Sequence, residues 1–293
     1  MTLGAPPPAS SVLPAVFTAA AMAAACSALS VFVVSRRWAF IGEGISHSGF
    51  GGAGTAWLLA LAFPALDRPW VPYAGVVVFC LLTALAIGYV SRERQAAGRR
   101  VSTDTAIGIF MVASLAWGFL ARQAYWSHHG GKDPAGWQTF LFGQTGGVSA
   151  GFAVMSVLLC GAVLATLVML NKEIVYYCLD PAMAEAAGVR AGFVHYLLML
   201  LVALTIIVGV RVVGSVLVTA LLVLPGATAL LLSSRLTAVV TASVAVGLAG
   251  AAIGLLANRL WPVLPTGPSM VLALFLQFCI AWTWGRARRL RPA

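Results

Sequence analysis

The chain has 293 residues, 61% of them hydrophobic and only 9% charged, with a mean hydropathy of +0.96. That composition excludes a water-soluble globular protein, and the +10 net charge in so apolar a chain reads as membrane orientation, not as a nucleic-acid surface. No gap between apolar runs is long enough to hold a soluble domain, so residues 1–293 are read as one transmembrane domain.

Apolar runs long enough to cross roughly 30 Å of hydrocarbon as helices fall at 12–34, 38–65, 72–90, 104–121, 150–170, 192–209, 212–232, 236–257 and 268–285. Backbone groups in lipid must be satisfied within the segment, so these runs are helices. The fold expected is an all-α polytopic membrane protein with about nine transmembrane helices. The first run has no basic residue before it and Arg36 and Arg37 behind it, which is not the pattern of a cleavable signal. Placing the N-terminus outside and the C-terminus in the cytoplasm puts thirteen of the eighteen Lys and Arg on the inner side, including Arg36, Arg37 and the Arg92–Arg100 cluster, as the positive-inside rule requires.

The second run is longer than one crossing needs and contains IGEGISHSGFGGAG. Of the eight acidic residues, Glu43 alone lies well inside a run; Asp104 starts the fourth and reads as a helix N-cap. An ionisable group in hydrocarbon is costly and marks a functional site by default. His47 follows Glu43 by four residues, so both side chains lie on one helical face and can converge on one ion. Carboxylate oxygen with imidazole nitrogen suits manganese, iron or zinc, whereas copper(I) would require a Cys or Met cluster. The pair alone equally suits a hydrogen bond that only packs helices. Gly44, Ser48 and Gly52 form a small-residue stripe that admits a close helix. Gly49, Gly51 and Gly54 leave room for a break in the same helix.

Further along, His128 and His129 stand in an outer loop, WSHHGGKD, where an ordinary solvated loop and a first contact for incoming metal are both open readings. Between the fifth and sixth runs lies NKEIVYYCLDPAMAEAAGVRAGF. Asp180 can cap a short helix there, Pro181 suits its first turn and Gly188 ends it. His195, at the start of the sixth run, reads as structural or interfacial. The five cysteines are scattered without a CxxC pair and read as packing residues. No GxxxxGK[ST] phosphate loop occurs, so ATP energy would have to come from a separate subunit.

AFIGEGISHSGFGGAG, STDTAIGI, FLFGQTGGVS, the stretch from LDPAMAEAAGVRAGF through LPGATALLL, and LPTGPSMVLAL occur in that order between about residues 35 and 285. Together they resemble the permeases of ATP-binding-cassette importers for manganese, zinc and iron, relatives of the vitamin B12 and siderophore permeases. The resemblance implies a non-enzymatic permease subunit of the bacterial cytoplasmic membrane, with no permanently bound cofactor and a transported divalent metal ion. It implies as partners an ABC ATPase at the cytoplasmic face, an extracytoplasmic metal-binding protein and a second permease chain. It places Glu43 and His47 at the metal-coordinating positions and makes Asp180, Pro181, Glu185 and Gly188 part of the helix seated on the ATPase. The family usually carries Asp where this chain has Glu43. An ion- or proton-coupled secondary carrier acting without ATP is the alternative reading.

Overall fold

The computed structural model describes residues 9–66, 68, 70–96, 102–134, 150–261, 264 and 266–289. The chain runs through α1 (Ala9–Ser35), α2 (Ile41–Ala62), α3 (Val71–Ala96), α4 (Thr103–His128), α5 (Ala150–Met169), α6 (Asn171–Leu179), α7 (Pro181–Ala186), α8 (Ala191–Val213), α9 (Ser215–Leu232), α10 (Leu236–Leu260) and α11 (Thr266–Arg289). A single 3-10 turn, Pro64–Leu66, follows α2. Among the described residues there is no strand. The FLFGQTGGVS segment, Arg99, Arg100 and the tail beyond 289 lie outside the described residues.

Nine of these helices are long, in agreement with the expected number of spans, and eight of the nine are also apolar enough to cross a membrane. The exception is α2, whose polar and glycine-rich sequence fails on composition. Its surroundings explain why it needs no apolar surface. Fourteen of its 22 residues are buried, and it lies against α3, α4, α8 and α9, so it meets protein over most of its length, as α1 and α8 do. By contrast α4, α5 and α11 are mostly exposed along their apolar stretches, as lipid-facing helices are.

The 38–65 run resolves into a turn, a helix and a 3-10 segment, and α2 is continuous from Ile41 to Ala62. The break considered at Gly49–Gly54 is therefore not found. Those glycines serve close packing instead. A Cβ on Gly52 would stand 2.3 Å from the Gly75 carbonyl oxygen of α3, and one on Gly51 would stand 2.9 Å from the Ser114 carbonyl oxygen of α4. The stripe expected at Gly44, Ser48 and Gly52 is shared between two neighbours, with Gly44 against Ile107 of α4 and Ser48 beside Cys80 of α3.

Around α1, polar bonds join helices whose lipid-like surroundings offer no other partner. Ser30 Oγ accepts the Gly226 backbone N–H of α9 at 2.8 Å, and Ser243 of α10 donates to the Ser27 carbonyl at 2.6 Å. Helices α8 and α9 meet at Gly214 alone, whose φ of +87° is open to glycine at no steric cost. All five cysteines are free.

Candidate functional site

Glu43 is the third residue of α2, because Arg36–Phe40 form the turn that precedes it. The expectation that it lies well inside its own helix is corrected to this extent: it sits in the first turn. Its height in the bundle is set by the neighbours. The Cys80 thiol, midway along the Val71–Ser91 apolar stretch of α3, reaches the Ile45 carbonyl at 3.3 Å. Thr219, near the start of α9, packs on Gly42 and lies against the Glu43 carboxylate. Helix α2 thus begins beside the middle of the α3 apolar stretch and the first turns of α9, with its positive N-terminal end, favourable to a carboxylate, beside Glu43.

His47 Nε2 donates to Glu43 Oε1 at 2.6 Å, the i,i+4 pairing anticipated from the spacing. The pair is not sealed. The Glu43 side chain is 37% exposed and that of His47 20%, so each keeps part of its surface uncovered by this chain. One carboxylate and one imidazole are brought together here, and among the described residues no cluster of three or more His, Cys, Asp or Glu side chains exists. A cation held at this point would draw its remaining ligands from water, hydroxyl or carbonyl oxygens, or another chain. Such partial coordination permits release.

The short helix expected at Asp180–Gly188 forms as α7. The Asp180 carboxylate accepts the N–H groups of Ala182 at 2.8 Å and Met183 at 3.4 Å, and Pro181 occupies the first turn. At the other end Val189 N–H bonds the Ala184 carbonyl and Gly188 N–H bonds that of Glu185, the paired bonds of a Schellman cap, with Gly188 at φ +82°. Ala184 is buried against the bundle, while Met183 and Leu179 are 67% and 78% exposed. Glu185 is exposed too.

Preceding α7 is a helix that sequence reading did not separate, α6. Its Ile174 and Tyr177 are buried. Tyr177 reaches His195, and His195 reaches Gly88, so the residue read as structural or interfacial joins α6, α8 and α3. No spacing rule could have linked positions so far apart in the chain.

Other expectations resolve simply. Ser102, not Asp104, caps α4, accepting the Thr105 N–H at 3.1 Å; Asp104 is exposed in the first turn. His128 ends α4 and His129 caps it, their Nδ1 atoms turned to the Ala124 and Tyr125 carbonyls at 3.0 and 3.2 Å, and His129 stacks on Tyr125.

A long-helix bundle with a buried polar second span and a capped surface helix defines a polytopic membrane protein of the transport class. Comparison with known proteins gives the family. A family model described as "ABC 3 transport family" matches residues 9–284, and the chain belongs to that family. It is 32% identical over 201 residues to the manganese transport system membrane protein MntC of Halalkalibacterium halodurans, an alignment covering 69% of this chain and 62% of that protein's length. It is 30% identical to a probable iron transport system membrane protein of Haemophilus influenzae, covering 72% of this chain and 71% of that one. Among solved structures, PsaBC from Streptococcus pneumoniae in complex with Fab superposes with a TM-score of 0.73 at 26% identity, over 92% of this chain and 90% of that one. The protein is a multi-pass membrane protein of the bacterial cell membrane.

Proposed function

We propose that this chain is the membrane-spanning permease subunit of an ABC importer that carries manganese or iron into the cytoplasm. Residues 1–293 act as a single permease domain. The observation that carries the reading is the Glu43–His47 pair: an acid and an imidazole in contact at 2.6 Å, both partly exposed, at the start of a helix that lies beside the middle of the α3 apolar stretch. A divalent cation takes the position of the proton the two groups share, since carboxylate and imidazole bind metal only when deprotonated. The carboxylate charge offsets the hydration the ion gives up. The same donors serve zinc.

ATP is hydrolysed by a separate ATPase subunit at the cytoplasmic face, and α7 is the element seated on it. Asp180, Pro181 and Gly188 shape that helix; Glu185, Met183 and Leu179 are exposed on or beside it. An extracytoplasmic metal-binding protein delivers the ion, and a second permease chain completes the pathway. The N-terminus lies outside and the C-terminus inside, which is the arrangement the Lys and Arg distribution favours.

Proteoliposomes holding the chain with its ATPase, loaded with ATP on the ATPase side and supplied on the other side with the metal-binding protein, test this reading. Uptake of radioactive manganese that needs both subunits and ATP is the expected result. Uptake by this chain alone, unaffected by ATP, would show a secondary carrier instead.

A further inference from the structure

The chemistry placed on α2 and the docking surface placed on α7 belong to separate elements, and a buried side-chain chain lies between them. Arg36, in the α1–α2 turn, donates from Nη2 to the Tyr177 hydroxyl of α6 at 3.2 Å, with its guanidinium 4.5 Å from the Tyr177 ring centroid. Tyr177 Oη lies 2.6 Å from His195 Nδ1 of α8, and His195 Nε2 lies 3.1 Å from the Gly88 carbonyl of α3. Ser91 Oγ completes the group, 3.1 Å from the same carbonyl and 3.5 Å from His195 Nε2. Tyr177, His195 and Ser91 are all buried.

The donor and acceptor roles run one way. A guanidinium only donates and a carbonyl only accepts. Tyr177 therefore accepts from Arg36 and passes its own proton toward His195 Nδ1, which leaves the imidazole N–H on Nε2 to meet Gly88. Each group then acts in its proper sense, Tyr177 Oη both accepting and donating and the Gly88 carbonyl accepting from His195 and Ser91, so the four elements are held in one register. A buried network linked in this way resists partial rearrangement.

The imidazole also touches the start of α2. Trp38 is buried and meets the His195 ring edge-on, with centroids 5.5 Å apart. The Trp38 carbonyl accepts the Ile41 N–H at 3.0 Å, and Trp38 N–H is bonded to the Val33 carbonyl at 2.9 Å. Arg37 beside it holds φ +59°, a left-handed conformation uncommon outside glycine. Two residues past Ile41 comes Glu43.

We propose that Tyr177 and His195 are positioning residues that couple α7 to the first turn of α2, so that movement of the docking helix reaches Glu43 and His47 through Trp38. The inference rests on the importer reading above. A shift of α6 that carries Tyr177 pulls on the imidazole, which packs on the Trp38 ring and is bonded to the Gly88 carbonyl of α3. Helix α8 thereby acts as a link between the two regions as well as a span.

The test is the number of manganese ions taken up per ATP hydrolysed, in proteoliposomes containing the chain with its ATPase, supplied outside with the metal-binding protein, at matched amounts of assembled complex. Tyr177→Phe removes the hydroxyl and keeps the ring over Arg36; His195→Ala removes the link, and His195→Asn restores an acceptor near the Nδ1 position. Tyr177→Phe and His195→Ala should each lower the ratio about tenfold while hydrolysis per complex stays within about twofold of the unsubstituted protein, with His195→Asn recovering part of it. A purely structural role would lower assembled complex, uptake and hydrolysis together and leave the ratio alone. Should either variant fail to assemble, Trp38→Phe, which keeps an aromatic ring in place and shortens its reach to the imidazole, is read by the same ratio. An unchanged ratio in the variants that assemble overturns the proposal. Absence of ATP-dependent uptake by the unsubstituted chain would instead defeat the importer reading on which it rests.

Discussion

The first turn of α2 and the helix α7, the two short stretches to which function is assigned by proposal, are held by opposite means. Helix α7 is defined locally: Asp180 caps it, Pro181 starts it and Gly188 ends it within nine residues. Helix α2 has no side-chain cap and carries five glycines between Gly44 and Gly54, each a propensity cost in isolation. It persists because α3, α4 and α9 close on it at backbone distance. Local encoding lets a surface element keep its shape with little support from the bundle. Tertiary encoding suits a polar span that must hold an acid and an imidazole away from lipid.

That contrast is broken most forcefully at Gly52. A Cβ there meets the backbone of Gly75, which has no flexible end to give way, so Gly52→Val should cost ~1–3 kcal/mol or more. The melting temperature of the purified protein should drop by about 5–10 °C, and a change no larger than that of a surface substitution would show that α2 is not clamped. The next effect is at Gly188, where no atom crowds a side chain but φ is +82°. Gly188→Val should cost about 1–2 kcal/mol of local strain. It should disturb ATPase docking or coupling without weakening metal binding; transport and assembly that survive unaltered would remove α7 from the docking role. Asp180→Ala should act in the same direction more weakly, by about 1 kcal/mol for a lost N-cap, read as a smaller loss of uptake per ATP.

The smallest effect is expected at His128 and His129, whose imidazoles turn back to their own helix end. Alanine at both should leave manganese uptake unchanged, and a clear loss would reopen them as a metal-gathering site. Orientation can be tested at α7 as well. A cysteine replacing exposed Glu185 should resist an impermeant thiol reagent added outside intact cells and react in inside-out vesicles prepared without the ATPase. Native Cys178 nearby adds little background, because burial, opposed only in part by the neighbouring Arg36 charge, pushes its thiol up to about 12 and leaves scarcely any thiolate at neutral pH.

The same division between local and tertiary encoding governs what could be read from the chain. Lengths of apolar sequence located α5 and α10 within a few residues, and the Asp180, Pro181 and Gly188 signals located α7, since those signals act over one or two turns. The Glu43–His47 contact was legible because i,i+4 geometry is a property of any helix. Its height was not, because that is set by where Cys80 of α3 and Thr219 of α9 fall beside it. The assignment of a cap to Asp104 failed because Ser102, two residues earlier, takes the amide. The Arg36–Tyr177–His195–Gly88 chain joins four elements remote in sequence, and only packing brings them together.

The central claim is that Glu43 and His47 form the ion relay of an importer, and uptake at matched levels of assembled complex tests it most directly. Glu43→Gln keeps size and hydrogen bonding but removes the charge that offsets the cation; His47→Ala removes the nitrogen ligand. Each should cut radioactive manganese uptake about tenfold or more, while Glu43→Asp, the residue usual in the family, retains transport and shifts the preference among manganese, iron and zinc. Near-normal uptake by both Glu43→Gln and His47→Ala would contradict the account and reduce the pair to a hydrogen bond that packs the start of α2.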